Sequence, residues 1–384
     1  MIPTLAGASA FVAWLKLVFA HGRFWHGGPQ LERRDVTDAA LPEVVVIVPA
    51  RDEAESIQEC LTSLLRQDYG GPLSVVLVDD GSVDGTGDLA RAVPDPDGRL
   101  TVIEGQARPE GWSGKLWAVH QGEMAALKRL RPDGFVLLTD ADIVHAPAHI
   151  ATLVAKAQED RLDLVSEMVK LNCESAAERW LVPAFVYFFA MLYPFTQVND
   201  PASRIAGAAG GTILLRRTAL ERVGGVEVLR GALIDDCTLA AHVKRAGGRL
   251  YLGHSTLAWS RRPYRGAADI WRMIARTAYV QLRYSPLNLL LTISAMGLVW
   301  FVPIFLTLFG RGRARWFGLG ASALCAVSFV PTLRRFGLSF WRVLPLPLVA
   351  AFYTAATIGS AIDHHRGRGA QWKNRAYTEE VHAS

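Results

Sequence analysis

Long apolar runs near both ends of the chain constrain its fold more than any other feature. Three of them lie towards the C-terminus, over residues 286–309, 316–333 and 344–362. Each approaches the roughly 20 apolar residues that an α-helix needs to cross a bilayer, and arginines separate one run from the next. The sequence therefore predicts transmembrane helices over residues 286–363, followed by a polar tail over residues 364–384.

A fourth apolar run, over residues 2–20, is weaker because Lys16 interrupts it. Its end, Val18-Phe19-Ala20, matches a signal-peptidase site, but no basic segment precedes the run. We therefore expect residues 1–22 to be an uncleaved membrane anchor. Basic residues flank every connection between the runs, so the positive-inside rule does not orient them. If all four runs cross, the tail lies opposite the polar domain; a re-entrant or interfacial run is the alternative.

The charges and cysteines of the chain argue against several classes of protein. The net charge is +5, but the basic residues are not massed on one predicted helix, and no basic-aromatic strip indicates nucleic-acid binding. Many of them flank the apolar runs instead, as is typical of a membrane surface. Four cysteines lie far apart without a CxxC pair, at positions 60, 173, 237 and 325. They indicate neither a zinc site nor a disulfide framework, which favours a reducing, cytosolic setting for the polar part.

Between the apolar ends, residues 42–260 alternate predicted strands with predicted helices. The run "EVVVIVPAR" is rich in β-branched residues, as in a strand buried on both faces, and "DEAESIQECLTSLLRQ" has apolar residues at helical spacing. The alternation continues through "LSVVLVDD", "LTVIEG" and "GFVLLTDADI". Because such alternation implies right-handed crossovers, the sequence predicts an α/β fold with a mostly parallel, Rossmann-like sheet.

Charged clusters follow three of the predicted strands. They are Arg51-Asp52-Glu53, Asp79-Asp80 and Asp140-Ala141-Asp142. Ligands of such sheets bind beyond the carboxyl ends of the strands, so the clusters lie where a ligand is expected. If the segment is extended, Asp140 and Asp142 face the same side and offer hard oxygen ligands to Mg²⁺ or Mn²⁺. An ordinary turn with solvated aspartates is the alternative.

Other polar residues near the strand ends allow a functional and a structural interpretation. Asp79 and Asp80 are suited to hydrogen bonds with a nucleotide base or ribose, whereas the following "GSVDGTGD" holds turn and N-cap residues. Lys115 lies in the first turn of a predicted helix, where a cation opposes the helix dipole. It indicates an anionic partner such as a diphosphate, or else it is a solvated surface lysine.

Two later segments add a strand and two helices. The segment "GGTILLRRTALERVGG" predicts a strand and then a helix with a capping box of Thr218 and Glu221. The glycines within residues 206–211 permit close backbone approach to a ligand. The segment "LIDDCTLAAHVKRAGG" begins a helix with Asp235 and Asp236. These carboxylates suit either capping of the helix dipole or a general base that takes a proton from a hydroxyl nucleophile.

Taken together, residues 42–260 resemble the family 2 glycosyltransferases, which are inverting nucleotide-sugar enzymes with the GT-A fold. The resemblance rests on the order and spacing of "VVVIVPARDE", "VVLVDDGSVDGT", "LLTDADI", "GGTILLRRTALERVGG" and "IDDCTLAAHVKRAGG". More narrowly, "PEGWSGKLWAVHQG", "LRGALIDDCTLAAHVKRAGG" and "ARTAYVQLRYSP" look like the hopene-associated glycosyltransferases of bacteria. The ceramide glucosyltransferases are more distantly similar. The resemblance implies a GT-A domain between an N-terminal anchor and C-terminal transmembrane helices.

The resemblance also implies roles for individual residues. The donor nucleotide, usually UDP, would be surrounded by Pro49, Arg51, Glu53 and Asp79, next to the Asp80 and Lys115 noted above. Asp140 and Asp142 would form the family's D-x-D motif, with Asp142 most directly on the metal ion.

In this comparison Asp236 corresponds to the family's catalytic base, and Asp235 occupies a position where the family has a glutamate. The Q-x-x-R-W motif of the processive members is the main departure: in "VQLRY", Val280 replaces Gln and Tyr284 replaces Trp. Arg283 is still expected to face the diphosphate, but a polymer-making role loses support.

The acceptor is predicted from the membrane segments. The run "RWLVPAFVYFFAMLYPF", residues 179–195, is either a core helix or an interfacial helix that steers a lipid towards the site. The basic segment 261–285 carries arginines that match anionic headgroups, at positions 261, 262, 265, 272 and 276.

We therefore expect an enzyme of the bacterial inner membrane, with its catalytic domain facing the cytoplasm, that transfers a sugar from a UDP-sugar to a hopanoid. Polyprenyl phosphate, or a ceramide- or diacylglycerol-type lipid, is the alternative acceptor. A non-catalytic membrane component that binds nucleotide is the alternative outside the enzymes.

Overall fold

The computed structural model describes residues 1–34 and 41–367, together with two short strands near the C-terminus, Gln371–Trp372 and Arg375–Ala376. Residues 368–370, 373–374 and 377–384 of the predicted polar tail lie outside the described residues.

The chain divides into two compact units. The sheet unit contains residues 29–172 and 197–263, and the helical unit contains residues 1–28, residues 173–196 and the helices that follow residue 264. The charged clusters at the strand ends belong to the sheet unit, whereas the four apolar runs belong to the helical unit.

The strands of the sheet unit form one mixed sheet. In chain order they are β1 Gln30–Leu31, β2 Val44–Ala50, β3 Leu73–Asp79, β4 Leu100–Glu104, β5 Phe135–Thr139, β6 Ile143–His145, β7 Leu164–Lys170, β8 Thr212–Arg216 and β9 Leu250–Ser260. Their order across the sheet is β1-β9-β7-β8-β5-β2-β3-β4, with β6 paired to β9. β8 is antiparallel to β5 and β7, β6 is antiparallel to β9, and the other pairings are parallel. This confirms the predicted α/β fold with a mostly parallel sheet.

The α-helices complete both units. In chain order they are α1 Ile2–Ala20, α2 Ile57–Leu65, α3 Thr86–Arg91, α4 Gly114–Leu127, α5 His149–Glu159, α6 Ala176–Leu192, α7 Phe195–Asn199, α8 Arg217–Arg222, α9 Asp235–Arg245, α10 Ala267–Gln281, α11 Pro286–Met296, α12 Val302–Phe309, α13 Arg313–Arg335 and α14 Leu346–His365. A π-helical turn joins α11 to α12, so that Pro286–Phe309 is one continuous helix.

The core of the sheet unit forms around β2, all of whose residues are buried. The helically spaced side chains of α2 pack with it and are fully buried, namely Ile57, Cys60, Leu61 and Leu64. β2 pairs in parallel with β3 and with β5. Because parallel strands end at the same edge of a sheet, the polar residues that follow these three strands are brought together.

Helix α4 approaches the sheet at a glycine. A Cβ atom at Gly122 would lie 2.4 Å from Cγ2 of Ile47 and 3.4 Å from Cγ2 of Val78. Glycine costs a helix interior about 1 kcal/mol relative to alanine, so its presence here reflects the close packing of α4 on β2 and β3. This packing positions the start of α4, which carries Lys115.

The helical unit contains four helices that are long and apolar enough to cross a membrane, Ile2–Ala20, Pro286–Phe309, Arg313–Arg335 and Leu346–His365. They coincide with the predicted anchor and the three C-terminal runs. Helix α6 belongs to the same unit: the hydroxyl oxygens of Tyr187 and Ser328 lie 2.7 Å apart, and Tyr353 donates a hydrogen bond to the Leu181 carbonyl at 2.9 Å. The apolar segment 179–195 is therefore not a core helix of the sheet unit.

The predicted capping box of Thr218 and Glu221 is wrong. Helix α8 begins one residue earlier, at Arg217, without a side-chain cap, and Glu221 pairs with Arg217 at 2.8 Å instead. β8 extends to the residue before the helix, which places Thr218 inside the first turn. A capping box does occur at α6, where Ser175 and Glu178 each accept a hydrogen bond from the other's backbone N–H.

We predict that Gly122→Val lowers the free energy of unfolding by about 1 to 3 kcal/mol, since the added methyl groups overpack the contact with Ile47. Met124→Val is the matched control on the same helix, because the Met124 side chain is 43% exposed. Chemical unfolding in detergent compares the two variants. Equal losses of stability in both would contradict the close approach of α4 to the sheet.

Candidate active site

The segments that follow β2 and β3 are joined by hydrogen bonds. The backbone N–H of Asp52 donates to Ser82 Oγ at 3.0 Å, and that of Val83 donates back to Asp52 Oδ1 at 2.9 Å. The N–H of Glu53 donates to Thr86 Oγ1 at 2.8 Å. Asp52 has a φ of 49°, which is uncommon for a residue other than glycine. This network fixes the segment after β2 against the segment after β3.

Arg51 and Asp80 form an internal ion pair at this edge. Nη1 of Arg51 lies 3.4 Å from Oδ2 of Asp80, whose side chain is only 3% exposed, and it also donates to the Asp80 carbonyl. Asp79 accepts a hydrogen bond from the Ser82 N–H at 3.0 Å, and Pro49 is buried within β2. The structure therefore places Asp80 in an ion pair and Asp79 in the turn that follows β3.

Asp140 and Asp142 lie in a tight turn between β5 and β6. The N–H of Ile143 donates to the Asp140 carbonyl at 3.2 Å, so the segment is not extended. The prediction that strand alternation directs both carboxylates to one side is therefore wrong. The chain has to reverse here so that β6 can pair with β9. Each carboxylate has its own cation, Lys115 for Asp140 and Arg262 for Asp142.

Arg262 follows β9 and joins Asp142 to Glu53. Its Nε donates to Asp142 Oδ2 at 2.9 Å and its Nη2 donates to Glu53 Oε1 at 2.7 Å. The side chains of Asp142 and Glu53 are 10% and 12% exposed, so two largely desolvated carboxylates share one guanidinium.

Arg261 and Arg262 are among the arginines predicted to face lipid headgroups. In the structure both belong to the sheet unit, and their partners are carboxylates: Arg261 pairs with Glu59 at 2.9 Å. Strand pairing brings the end of β9 beside the turn that holds Asp142, and a role of these two arginines at headgroups stays a prediction. Arg265, Arg272 and Arg276 lie in the helical unit.

Lys115 connects two acidic segments. Ser113 caps α4 by accepting from the Leu116 N–H at 3.2 Å, which places Lys115 in the first turn. Its Nζ lies 2.9 Å from Asp140 Oδ1 and 3.3 Å from Asp235 Oδ2, and its side chain is 19% exposed. Lys115 is thus not a solvated surface lysine, since it bridges the turn after β5 and the start of α9.

Asp236 lies in the first turn of α9, next to Asp235. Its Oδ1 accepts a hydrogen bond from the Cys237 N–H at 2.7 Å, and a Cβ atom at Gly210 would lie 3.2 Å from its Oδ2. Burial raises the pKa of Asp236 to about 6, and the negative charge of Asp235 adds to this rise; the Cys237 N–H and Lys115 oppose it. A carboxyl group with a pKa this close to neutrality is suited to accept and release a proton.

A buried network of hydrogen-bonded side chains adjoins the turn of Asp140, and no pattern in the sequence predicts it. The Nδ1 atoms of His145 and His149 are 2.8 Å apart, and His149 Nε2 lies 3.0 Å from Glu167 Oε2. Thr139, the last residue of β5, lies 3.2 Å from His145 Nε2 and donates to the Gly211 carbonyl at 2.8 Å. This network fixes the end of β5 against the segment of Gly210 and Gly211, which contacts Asp236. It joins three strands and a helix, so no local pattern reveals it.

The turn of Asp140 and Asp142 offers two carboxylates to a divalent cation, whose remaining ligands would come from water or from a bound molecule. Among residues 1–34 and 41–367, no cluster of three or more His, Cys, Asp or Glu side chains could hold a metal ion. Mg²⁺ and Mn²⁺ prefer carboxylate oxygens, and Mg²⁺ usually takes one or two of them and completes its shell with waters and phosphate oxygens. The donor set therefore fits a cation bound together with a diphosphate.

Arg283 lies in the helical unit, just after α10. The φ angles of Arg283 and Tyr284 are 55° and 53°, so two successive residues other than glycine adopt the left-handed conformation. Stacking of the Tyr284 ring on His364, with centroids 4.3 Å apart, supports this arrangement. The role of Arg283 at a diphosphate stays a prediction.

Two family models match the chain. The model of glycosyl transferase family 2 matches residues 45–224, and that of glycosyl transferase family group 2 matches residues 135–356. Together they cover the turn after β5, the start of α9 and most of the predicted C-terminal membrane helices.

Curated relatives are similar over about a third of the chain. An N-acetylglucosaminyltransferase of Bradyrhizobium elkanii is 32% identical over 147 residues, which are 37% of this chain and 72% of that protein. An N-acetylglucosaminyltransferase of Mesorhizobium japonicum is 33% identical over 36% of this chain and 31% of its own length. An undecaprenyl-phosphate 4-deoxy-4-formamido-L-arabinose transferase of Pseudomonas aeruginosa is 31% identical over 36% of this chain and 38% of its own length. The chain thus spans less than half of the latter two proteins.

Among solved structures, a mannosyltransferase from Pyrobaculum calidifontis in complex with GDP-Man and Mn²⁺ is similar to this chain. The TM-score is 0.56 at 21% identity, and the likeness covers 96% of this chain and 99% of that chain. It supports the GT-A fold predicted from the sequence.

We predict that Asp236→Asn raises the free energy of unfolding at pH 7.5 by about 1 to 3 kcal/mol. The carboxyl pKa is raised on folding, so the charged form opposes folding above pH 6. The gain shrinks as the pH falls towards the unfolded pKa of about 3.9. Chemical unfolding at pH 7.5 and 5.0 measures both effects, with Asp68→Asn as an exposed control. A variant that is no more stable than the wild type at pH 7.5 would contradict this description of Asp236.

Proposed function

Because the chain belongs to the family 2 glycosyltransferases, we propose that it transfers a sugar from a nucleotide-sugar, a UDP-sugar, to a membrane lipid with inversion of configuration. One observation carries the proposal: a carboxylate with a pKa raised to about 6, Asp236, lies near a bridged set of charges, Asp140, Lys115 and Asp235. This reaction requires a group that accepts the proton of the acceptor hydroxyl and a charged site that binds the nucleotide-sugar.

The donor nucleotide is assigned to the edge formed by β2 and β3. The hydrogen bonds between the segments after these strands fix their backbone before a ligand binds, so little ordering is needed on binding. In this assignment Pro49, Arg51, Asp79 and Asp80 shape the nucleotide site, and Glu53 borders it on the side of Asp142. Lys115 and Asp140 lie at its diphosphate end in this assignment. Arg283 is kept as a diphosphate-binding residue on the family resemblance alone.

Asp142, together with Asp140, would hold Mg²⁺ or Mn²⁺ against the diphosphate. The solved mannosyltransferase with GDP-Man and Mn²⁺ supports a divalent ion in this fold. When bound, such an ion stabilises the negative charge that develops on the leaving diphosphate.

Asp236 acts as the general base in this mechanism. Its carboxylate takes the proton of the acceptor hydroxyl, whose oxygen attacks the anomeric carbon from the face opposite the diphosphate. The new carbon–oxygen bond forms as the bond to the diphosphate breaks, and the diphosphate leaves with the bonding electron pair. Asp235 and Lys115 position the base and adjust its pKa, and the partly buried site limits water as a competing acceptor.

We assign a membrane lipid as the acceptor because the helical unit is suited to lie in a membrane. Four helices of that unit are long and apolar enough to cross a membrane, and α6 packs among them. We assign a hopanoid on the resemblance of the segments around Lys115, Asp236 and Arg283 to the hopene-associated enzymes. We further infer a location in the bacterial inner membrane with the sheet unit in the cytoplasm, which suits the free cysteines of that unit, Cys60 and Cys237.

Polyprenyl phosphate is the second candidate acceptor. It is favoured by the similarity to the Pseudomonas aeruginosa transferase, which is named for undecaprenyl-phosphate. A ceramide- or diacylglycerol-type lipid would suit the same helical unit. Incubation of membranes that contain the protein with labelled UDP-sugars and a lipid extract, followed by mass spectrometry of the product, separates these acceptors.

In the same assay we predict that Asp236→Asn lowers the turnover rate by about 10²- to 10⁴-fold while UDP binding persists, because only proton removal is lost. Asp68→Asn, which changes an exposed aspartate, is expected to retain full activity. Undiminished transfer by Asp236→Asn would contradict the assignment of the base.

The pH profile tests the coupling between Lys115 and the base. We expect kcat/KM to rise with pH through an apparent pKa near 6, because Asp236 must be deprotonated to act. Lys115→Ala removes a cation that lowers this pKa, so the rise should move to higher pH. Lys128→Ala, an exposed lysine at the other end of α4, should leave the profile unchanged. A shift to lower pH in Lys115→Ala would contradict the coupling.

A further inference from the structure

Arg262 supplies the positive charge beside Asp142 and Glu53 when no donor is bound. Its guanidinium contacts Asp142 at 2.9 Å and Glu53 at 2.7 Å. The hydroxyl of Ser260 donates to the same Asp142 oxygen at 3.2 Å. Two carboxylates that are this desolvated are stabilised by a cation in contact with both.

The position of Arg262 is fixed by the fold. The N–H of Arg261 donates to the Asp142 carbonyl at 2.8 Å, which continues the pairing of β6 with β9 beyond the last strand residue. The N–H of Arg262 donates to Ser260 Oγ at 3.2 Å. The backbone is thus held beside the turn, while the side chain of Arg262 is 42% exposed and has room to reorient.

Three carboxylates lie in this region, namely Asp140, Asp142 and Glu53. The structure pairs Asp140 with Lys115, and it pairs both Asp142 and Glu53 with Arg262.

A divalent cation on Asp142 would repel the guanidinium of Arg262, because like charges interact strongly in a partly desolvated site. Arg262 and such a cation therefore compete for Asp142. Once released, the guanidinium remains tethered next to the turn, and its planar set of N–H donors matches the oxygens of a diphosphate.

We propose that Arg262 is a donor-binding residue that exchanges Asp142 for the diphosphate of the nucleotide-sugar when a metal-bound donor occupies the site. This rests on the proposed function. It makes Arg262 a competitor of the metal ion before the donor binds and a ligand of the donor afterwards. Glu53 retains the guanidinium near the site during the exchange.

Binding of Mn²⁺ alone and of UDP with saturating Mn²⁺ tests the exchange in the full-length protein. Electron paramagnetic resonance measures free Mn²⁺, and calorimetry measures UDP binding. For Arg262→Ala we expect Mn²⁺ alone to bind about 10-fold more tightly, since the competing cation is gone, and UDP to bind about 10-fold more weakly, since a charge-assisted contact is lost. Arg262→Lys should restore part of the UDP affinity, because the charge remains without the planar donor set.

Arg261→Ala is the matched control, because the neighbouring arginine pairs with Glu59 instead, and both affinities should stay at the wild-type values. Unchanged Mn²⁺ affinity in Arg262→Ala would overturn the exchange. Equal weakening of Mn²⁺ and UDP in that variant would also overturn it, because it would show that Arg262 merely holds the turn in shape. A wild-type protein that binds neither UDP nor GDP in the presence of Mn²⁺ would overturn the proposed function itself, which distinguishes the two failures.

Discussion

Carboxylates from four separate segments meet at the carboxyl edge of the central strands, and the structure can hold them only because each group has a cation nearby. Arg51 is paired with Asp80, Arg262 with Asp142 and Glu53, and Lys115 with Asp140 and Asp235. A buried charge without a partner would cost several kcal/mol. In the proposed function, the same ion pairs surround the place of a metal-bound diphosphate. Donor binding and the stability of this edge would then depend on one set of ion pairs.

The raised pKa of Asp236 follows first from burial and then from the neighbouring carboxylates. The glycine at position 210 lets the backbone approach the carboxyl group, and Asp235 and Asp140 add negative charge, while Lys115 limits the effect. A general base needs a pKa low enough to be ionised near neutral pH and high enough to accept a proton. In the proposed mechanism, Lys115 links the donor end of the site to the base end through its ion pairs with Asp140 and Asp235.

The elements that depend on local sequence patterns could be predicted, and those that depend on long-range pairing could not. The buried strand β2, the helically spaced face of α2 and the acidic start of α9 follow from periodicity and composition. The contact of Arg262 with Asp142 joins residues 120 positions apart through the pairing of β6 with β9, which no local pattern encodes. The apolar run of α6 fits a core helix or a membrane-associated helix equally well, and only its partners in the helical unit decide between them.

The proposed function requires that the turn after β5 and the start of α9 form the two sides of one donor site. A cryo-electron microscopy structure of the full-length protein with UDP and Mn²⁺ would show whether they do. We expect the diphosphate between Lys115 and Arg262, the Mn²⁺ on Asp142, and the carboxylate of Asp236 facing the open end of the diphosphate. A nucleotide bound elsewhere, with Asp142 still paired to Arg262, would contradict the account.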